Sequence, residues 1–401
     1  MMKDWTRRAA LAAGAALLAS AGCGKPAAGL GRVVGPLPAD SVALNLVLIG
    51  DAGLPNPEGE PVLRALQAEI AAAPEKSFVV FLGDNIYPVG LSDTLTAEGR
   101  EGLRILRAQM QPLRDTGTRG VFVPGNHDWA QGAPEGWANI VRQERFINIE
   151  GAGLFGMEPR DGCPGPVIVD LGVVLRLIVI DSHWWLHPAT KPGRDRCNPG
   201  TEQGVVDSLR VALATAGERR TVVVAHHPVV SGGQHGGYFD WPTYLFPFHP
   251  WARTAGLFAR QDVTGREYRH MTAELSRAFV VDTPTVYAAG HEHSLQVFRR
   301  DPARYLLVSG GGIYGHTTPT RAITGIRYIR QASGYQRITF LDDGRARLSV
   351  MVVDAQGNAT EDFSTWLDVP PLRGSASATS SPIVPAQSDT THGVPTPGGR
   401  P

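Results

Sequence analysis

Residues 78–87 read FVVFLGDNIY, an apolar run that ends abruptly in polar side chains. A continuous apolar run of this length, bounded by glycine or proline, is typical of a strand buried on both faces. Four further segments repeat the pattern: LNLVLIGDAG at 44–53, VFVPGNHD at 121–128, TVVVAHHP at 221–228 and TVYAAGHEH at 285–293. The sequence therefore predicts five buried strands, each of which ends in polar groups.

Helical patterns separate several of these strands, at 61–73, 94–114, 202–214 and 271–279. Alternating strands and helices indicate an α/β fold with largely parallel sheet and helices packed outside it. In such sheets the carboxyl ends of the strands lie along one edge, and that edge carries the functional site. We therefore expect the five polar strand ends to meet in one place.

The side chains at these strand ends offer carboxylate, carboxamide, phenol and imidazole groups. In chain order they are Asp51, Asp84, Tyr87, Asn126, His226, His291 and His293. One such residue alone is usually a turn or a helix cap, but seven at one edge favour a metal site. They are too many for a single tetrahedral zinc and fit two six-coordinate ions that share a bridge. Two ions about 3.5–4 Å apart stabilise in-line attack on phosphorus and lower the pKa of a bridging water.

Composition and other motifs argue against several alternative classes. The 401 residues are 42% hydrophobic, enough to bury a large core, and Lys+Arg and Asp+Glu both number 38. A net charge of zero does not predict nucleic-acid binding. The chain has no G-x-S-x-G of serine hydrolases and no H-E-x-x-H of zincins, and Pro26 follows Gly24-Lys25 where a P-loop requires Ser or Thr.

The motif series D-x-G, G-D-N-x-Y, G-N-H-D, H-x-P and G-H-x-H resembles the calcineurin-like metallophosphoesterase superfamily. Within it, the chain resembles the purple acid phosphatases, above all the compact tartrate-resistant type. Gly53 stands where most of the superfamily has a metal-binding histidine, and Tyr87 supplies a ligand instead. The resemblance spans about 44–315. It implies a four-layer αββα sandwich of two mixed β-sheets flanked by helices, and residues 337–353 look like a closing hairpin.

The resemblance also implies how the metal ligands are divided between the two ions. The first metal, ferric iron, would be bound by Asp51, Asp84, Tyr87 and His293. Asp84 would bridge to a second, divalent ion of iron, zinc or manganese. That second ion would also be bound by Asn126, His226 and His291.

Further residues near these ligands receive roles from the same resemblance. His127 and His235 would face the phosphate and help to protonate the leaving oxygen. We expect Asp128 to hydrogen-bond near His127 and His227 to fill space. Glu292 is expected to point away from the metals and receives no chemical role.

The expected function is hydrolysis of phosphomonoesters, in which a hydroxide held by the two ions attacks phosphorus in line. The same core also serves phosphodiesterases and nucleotide pyrophosphatases, which stay open as alternatives. A non-catalytic metal-binding surface protein is a third hypothesis, although such a protein would need neither His127 nor His235. Residues 237–270 are rich in aromatic residues and either roof the site or pack as a cluster on the scaffold.

Both ends of the chain are expected to lie outside the phosphoesterase domain, placed at 42–369. Residues 1–23 read as a twin-arginine export signal, so we expect a location in the periplasm or at the cell surface. The signal would end either by cleavage after Ala21 or by lipidation of Cys23, the one expected membrane contact. Residues 24–41 form a linker and 370–401 a disordered tail.

Cys163 and Cys197 are the only other cysteines. In an exported protein they form either one disulfide or two independent buried thiols.

Overall fold

In the computed structural model, the residues described are 33–37, 41–238 and 261–368. Two seven-stranded sheets form the centre of this part of the chain. The first sheet contains β1 (Val42–Ile49), β2 (Ser77–Phe81), β3 (Arg119–Phe122), β4 (Phe155–Met157), β12 (Gly334–Leu341), β13 (Ala346–Val353) and β14 (Ala359–Trp366). Its spatial order is β14-β13-β12-β1-β2-β3-β4. Strands β1 to β4 are parallel, whereas β12, β13 and β14 pair antiparallel.

The second sheet is also mixed. It contains β5 (Val167–Leu171), β6 (Leu175–Val179), β7 (Arg220–Val224), β8 (Val286–Ala289), β9 (Leu295–Phe298), β10 (Tyr305–Ser309) and β11 (Ile326–Arg330). Its order is β11-β9-β10-β8-β7-β6-β5, and the central strands β6, β7, β8 and β10 are parallel. The five strands of the repeated pattern are therefore divided between two sheets and do not lie in one largely parallel sheet.

Six α-helices accompany the sheets in the described part of the chain. They are α1 (Pro61–Ala71), α2 (Ala97–Thr116), α3 (Gly136–Gly151), α4 (His183–Leu186), α5 (Glu202–Ala214) and α6 (Arg266–Ala278). Helix α1 begins at a proline after Glu60, whose side chain accepts a hydrogen bond from the amide of Val62. Thr96 caps α2 in the same way, and Gly117 ends it at a φ of 72°.

The predicted helix positions are correct for α1, α2, α5 and α6, with differences at the ends. Helix α5 has the predicted bounds, α1 ends two residues early, and α2 lies at 97–116 where 94–114 was predicted. Helix α6 starts at Arg266 and not at residue 271, because Gly265 supplies its extended N-cap and polar residues fill its first turn. Helix α3 was not predicted at all.

Apolar residues alternate between the two faces of each sheet. On β1, Leu46 and Leu48 lie in the cluster between the two sheets, whereas Val47 and Ile49 face α1 and α2. A third cluster packs β6 and β7 against α5 and α6. Helices therefore cover both outer faces of the sheet pair, which confirms the αββα four-layer sandwich.

Two local predictions concern covalent and hairpin connections. Strands β12 and β13 form the predicted hairpin, with Gly344 N bonded to Leu341 O in the turn. Cys163 and Cys197 form a disulfide, so the alternative of two independent thiols is wrong.

Among the described residues, none of the helices is both long and apolar enough to cross a bilayer.

Glu144 on α3 gives the fold a testable dependence on pH. Its side chain is 8% exposed and accepts hydrogen bonds from Asp161 N at 2.6 Å and Asn148 Nδ2 at 3.1 Å. Burial raises the pKa of Glu144 from its usual 4.5 to about 7. Between these values the native state binds more protons than the unfolded state, so the free energy of unfolding falls as pH rises through this window.

We therefore expect Glu144→Gln, which keeps an acceptor and cannot ionise, to gain stability relative to the wild type as pH rises. The gain between pH 5 and pH 8 should be about 2 kcal/mol by urea unfolding. Glu75→Gln, on an exposed turn, is the matched control and should follow the wild type at both pH values. Parallel curves for Glu144→Gln and the wild type would contradict the assigned pKa.

Candidate metal centre

The polar strand ends of the two sheets meet where the carboxyl end of β1 contacts the carboxyl end of β10. Gly50, after β1, donates its amide to Ser309 O at the end of β10, at 2.8 Å. A Cβ on Gly50 would lie 3.0 Å from the Cα of Gly290, so the close approach requires glycine. Three predicted ligands have positive φ values, namely Asp51 at 60°, Asp84 at 54° and His291 at 69°. Such backbone is uncommon for residues other than glycine, and it clusters at functional sites.

One group of metal donors, meaning side chains whose oxygen or nitrogen atoms can bind a cation, consists of Asn126, His226 and His291. Asn126 Oδ1 lies 2.9 Å from His226 Nε2 and 3.0 Å from His291 Nδ1. The opposite ring nitrogens are bound to backbone carbonyls: His226 Nδ1 to Leu82 O and His291 Nε2 to Gln261 O, both at 2.8 Å. Because a carbonyl only accepts, those nitrogens carry hydrogens, which leaves the nitrogens that face Asn126 as the ones a cation can bind once any proton on them is released.

Asp51, Tyr87 and His293 form a second group of donors. Tyr87 Oη lies 3.1 Å from Asp51 Oδ1 and 3.0 Å from His293 Nε2. His293 Nε2 is 3.5 Å from Asp51 Oδ1. Neighbouring ligands that are each about 2.1 Å from an octahedral ion are themselves about 3 Å apart, so both groups have the spacing of ligands around an ion.

Asp84 lies between the two groups. The residue is 1% exposed, and Oδ1 lies 3.4 Å from His226 Nε2 and accepts the amide of His127 at 2.9 Å. Ligand atoms of Asp51, Asp84 and His226 all lie within 4.8 Å of one another. A Cβ on Gly125 would lie 2.2 Å from Asp84 Oδ1, so the next loop passes directly over this carboxylate. Asp84 is therefore placed where one carboxylate can serve both groups.

The electrostatics of the site favour added positive charge. Burial alone would raise the pKa of Asp84, but the charges of His226 and His127 outweigh it and hold that pKa below its usual range. Burial likewise lowers the pKa of His226, yet Asp84 and Asp51 raise it to about 9. Burial, and next the Asp51 carboxylate, raise the pKa of the Tyr87 phenol well above its usual value. The donor set thus fits cations, which would also lower the cost of ionising Tyr87.

His127 and His235 lie beside the two groups without belonging to either. His127 Nδ1 is 2.7 Å from Pro88 O, and its Nε2 lies 3.9 Å from Asp84 Oδ2. The ring of His235 stacks on that of His291, with centroids 4.1 Å apart. His235 Nδ1 lies 3.4 Å from Asp262 Oδ1. The structure therefore brings all nine predicted site residues together, seven as donors and two beside them.

Asp128 hydrogen-bonds close to His127, as the sequence suggested, through the amide of Gly125 at 2.8 Å. Asp128 is 0% exposed, and its carboxylate accepts hydrogen bonds from the loops after β2 and β3 and from helix α3, but not from the His127 ring. The donors are Asn85 N, Asn85 Nδ2, Ile86 N, Gly125 N and Gln143 Nε2. Asp128 therefore ties the loop that carries Asp84 to the loop that carries Asn126 and His127.

His227 packs behind the donor groups. Its Nδ1 lies 2.8 Å from Ser182 Oγ, and burial, followed by the nearby His291, lowers the pKa of its ring well below the usual value. It is therefore a neutral, buried ring in the interior next to His226.

Two further side chains at the site were missed by the sequence analysis. The ring of His316 lies 4.2 Å from that of His293 and 5.9 Å from that of Tyr87, between centroids. Asp262, 5% exposed, faces His235. His316 follows β10 and the glycine run 310–312, a strand-end pattern like the five that were recognised. Asp262 had no comparable signal.

The aromatic segment 237–270 is only partly within the described residues. Its central part, 239–260, lies outside the described residues. The two alternatives for this segment, a cover over the site or an aromatic cluster on the surface, therefore both stay open. The end of the segment reaches the site: Gln261 O is bound to His291, and Val263 N donates to His235 O at 3.0 Å.

Comparison with known proteins agrees with this geometry. A profile of the calcineurin-like phosphoesterase family matches residues 44–295. Purple acid phosphatase 4 of Arabidopsis thaliana is 21% identical over 338 residues, which cover 80% of this chain and 84% of that protein. The structure of purple acid phosphatase PPD1 from yellow lupin (Lupinus luteus) seeds aligns with a TM-score of 0.53 at 17% identity. That alignment covers 82% of this chain and 55% of the lupin chain.

A further structural match is GAP50, the anchor in the inner membrane complex of Plasmodium. It aligns at a TM-score of 0.47 and 14% identity over 81% of this chain and 89% of that one. The family match covers more than half of the chain, and the resemblance inferred from the five motifs is confirmed. The chain therefore belongs to the calcineurin-like phosphoesterase family, as a hydrolase of phosphate esters that is similar to the purple acid phosphatases.

Proposed function

We propose that this chain is an exported phosphomonoesterase of the acid phosphatase type that uses two metal ions. The observation that carries the proposal is the placement of His127 and His235 beside two groups of metal donors to which neither belongs. A protein that kept metals only for structure would have no use for two further imidazoles at this point. A phosphate ester has such a use, because its oxygens and its leaving group need hydrogen-bond donors.

The residues divide into two ligand sets in this proposal. The first set is Asp51, Asp84, Tyr87 and His293, and the second is Asp84, Asn126, His226 and His291. We propose ferric iron for the first set, since a phenolate suits that ion, and iron, zinc or manganese in the divalent state for the second. When bound, two such ions supply positive charge for the phosphate oxygens and activate water for attack on phosphorus.

The protein groups position the ester and supply protons. Pro88 O is 2.7 Å from His127 Nδ1, so it fixes the proton on that nitrogen and leaves Nε2, on the Asp84 side of the ring, to meet the phosphate. Asp262 orients the other imidazole, that of His235, in the same manner through Nδ1. A protonated imidazole at either position hydrogen-bonds a phosphate oxygen or gives its proton to the departing alkoxide.

The proposed location rests on the sequence alone. The pair Arg7-Arg8 before a short apolar run supports export, and Cys23 offers a site for lipidation. Fractionation of expressing cells, followed by the assay below, locates the activity in the soluble or the membrane fraction.

The test compares a phosphate monoester with a diester on metal-loaded protein. We expect kcat/KM for p-nitrophenyl phosphate to exceed that for bis(p-nitrophenyl) phosphate by at least about tenfold. His127→Ala and His235→Ala should each lower the monoester value and keep both metals. A preference for the bis ester would replace the proposal with a phosphodiesterase. Failure to hydrolyse either ester would favour a metal-binding protein without catalysis.

A further inference from the structure

Glu292 is a buried carboxylate with partners in two loops. It follows His291 and precedes His293, and its side chain is 0% exposed. Oε2 accepts hydrogen bonds from Ser231 Oγ at 2.9 Å and from His235 N at 3.0 Å. Oε1 accepts from Thr318 Oγ1 at 2.6 Å. Burial of a carboxylate is costly unless such donors satisfy it, so these contacts hold both loops firmly against it.

The loop that carries His235 is built around this carboxylate. Ser231 Oγ also accepts the amide of Gly233 at 2.9 Å. A Cβ on Gly233 would lie 2.1 Å from Glu292 Cδ, so only glycine allows the loop to pass so close. On the opposite side, Thr318 N donates to His293 O at 2.9 Å, and this second loop also carries His316.

We propose that Glu292 is a positioning residue that holds His235 in place for phosphate, acting through the loop 231–236. The proposal rests on the proposed function. Its geometric basis is that Glu292 adjoins the metal ligand His291, on whose ring His235 stacks at 4.1 Å. One residue therefore fixes the phosphate-facing imidazole relative to the metal ligands. A displacement of about 1 Å in such a group lowers the rate by up to about a hundredfold.

The test is a double-mutant cycle between Glu292 and His235. Glu292→Ala alone should lower kcat/KM for p-nitrophenyl phosphate by about ten- to a hundredfold. In the His235→Ala background the same change should cost less than about twofold, because the group it positions is already absent. The affinity for inorganic phosphate, measured by calorimetry, should show the same non-additivity. Both metal ions should stay bound in every variant.

A conservative variant, Glu292→Gln, and a matched control, Glu144→Gln, accompany the double-mutant cycle. In Glu292→Gln the amide oxygen still accepts from Ser231 and His235, while the amide hydrogens face Thr318 Oγ1. That hydroxyl can then donate to His293 O, 3.4 Å away. Most activity should therefore be retained. Glu144→Gln, which alters a buried carboxylate that also holds a loop amide, should leave kcat/KM unchanged.

Amide hydrogen exchange tests the contact between Glu292 and the loop 231–236 independently of catalytic activity. The peptide that spans 231–236 should exchange faster in metal-free Glu292→Ala than in metal-free wild type, and at the wild-type rate in Glu292→Gln. If Glu292→Ala does not fold, Ser231→Ala removes one of the donors, and the same cycle is run with it for a smaller effect.

Three outcomes would overturn the inference: equal loss in both backgrounds, loss of metal from Glu292→Ala, or unchanged exchange of 231–236. An inactive wild type would refute the proposed function instead. The phosphate titration and the exchange comparison would still decide whether Glu292 positions His235.

Discussion

Asp84→Ala is expected to release both metal ions from the protein. The carboxylate lies between the two donor groups. On one side it is 3.4 Å from His226 Nε2, and on the other its charge contributes to the raised pKa of the Tyr87 phenol. Its buried negative charge is stabilised by His226 and His127, which lower its pKa. The other carboxylate among the ligands, Asp51, belongs to the first group. Loss of Asp84 therefore removes a ligand from each ion and the negative charge that both share.

Elemental analysis after dialysis measures this effect. We expect well under one ion per chain in Asp84→Ala, against two in the wild type. Activity should fall by at least about a thousandfold, since the ions supply several kcal/mol of transition-state stabilisation. Asn126→Ala and His293→Ala are the matched comparisons, because each removes a ligand of one group only. They should retain about one ion, from the first and the second site respectively. Two ions in Asp84→Ala would refute the bridging role.

The gathering of these polar side chains in one place could be predicted from the sequence because the relevant strands are buried. A buried strand shows itself as an uninterrupted apolar run, and its end is marked by the first polar group, as with Val80 and Phe81 before Asp84. Strands β1, β2, β3, β7 and β8 all gave this signal, and their ends do meet. The division of these strands between two sheets follows from pairing partners far apart in sequence, such as β1 with β12. No local pattern reveals such pairing.

Strand patterns in the sequence do not predict contacts between side chains on different loops. Asp128 adjoins His127 in sequence, yet its carboxylate accepts hydrogen bonds from the amides of Asn85 and Gly125, the first of them 43 residues away along the chain. Asp262 approaches His235 across 27 residues of chain, and Thr318 approaches Glu292 across 26. Helix α3 was missed because Glu135 at its N-cap makes no side-chain cap hydrogen bond, and because the left-handed residue that ends it is Ala152 and not a glycine.

Tyr87→Phe is expected to abolish the visible colour of the protein and to leave the fold intact. The phenol is partly buried, with Oη 3.1 Å from Asp51 Oδ1 and 3.0 Å from His293 Nε2. Burial and the Asp51 carboxylate raise its pKa well above the usual value, so it ionises only when a strong Lewis acid displaces the proton. Ferric iron is such an ion, and a phenolate bound to it absorbs visible light by charge transfer. The wild type should therefore be purple to pink.

The variant loses one hydroxyl and keeps the aromatic ring that packs 4.3 Å from His127. Activity should fall by only about tenfold, or about 1.4 kcal/mol in transition-state stabilisation, because Asp51, Asp84 and His293 can still hold an ion. Visible absorption, circular dichroism and metal content are measured together. Tyr314→Phe, on an exposed loop, is the control and should keep the colour. A colourless, fully active wild type that contains only manganese or zinc would refute the iron assignment and leave Tyr87 as a ligand of another ion or a packing residue.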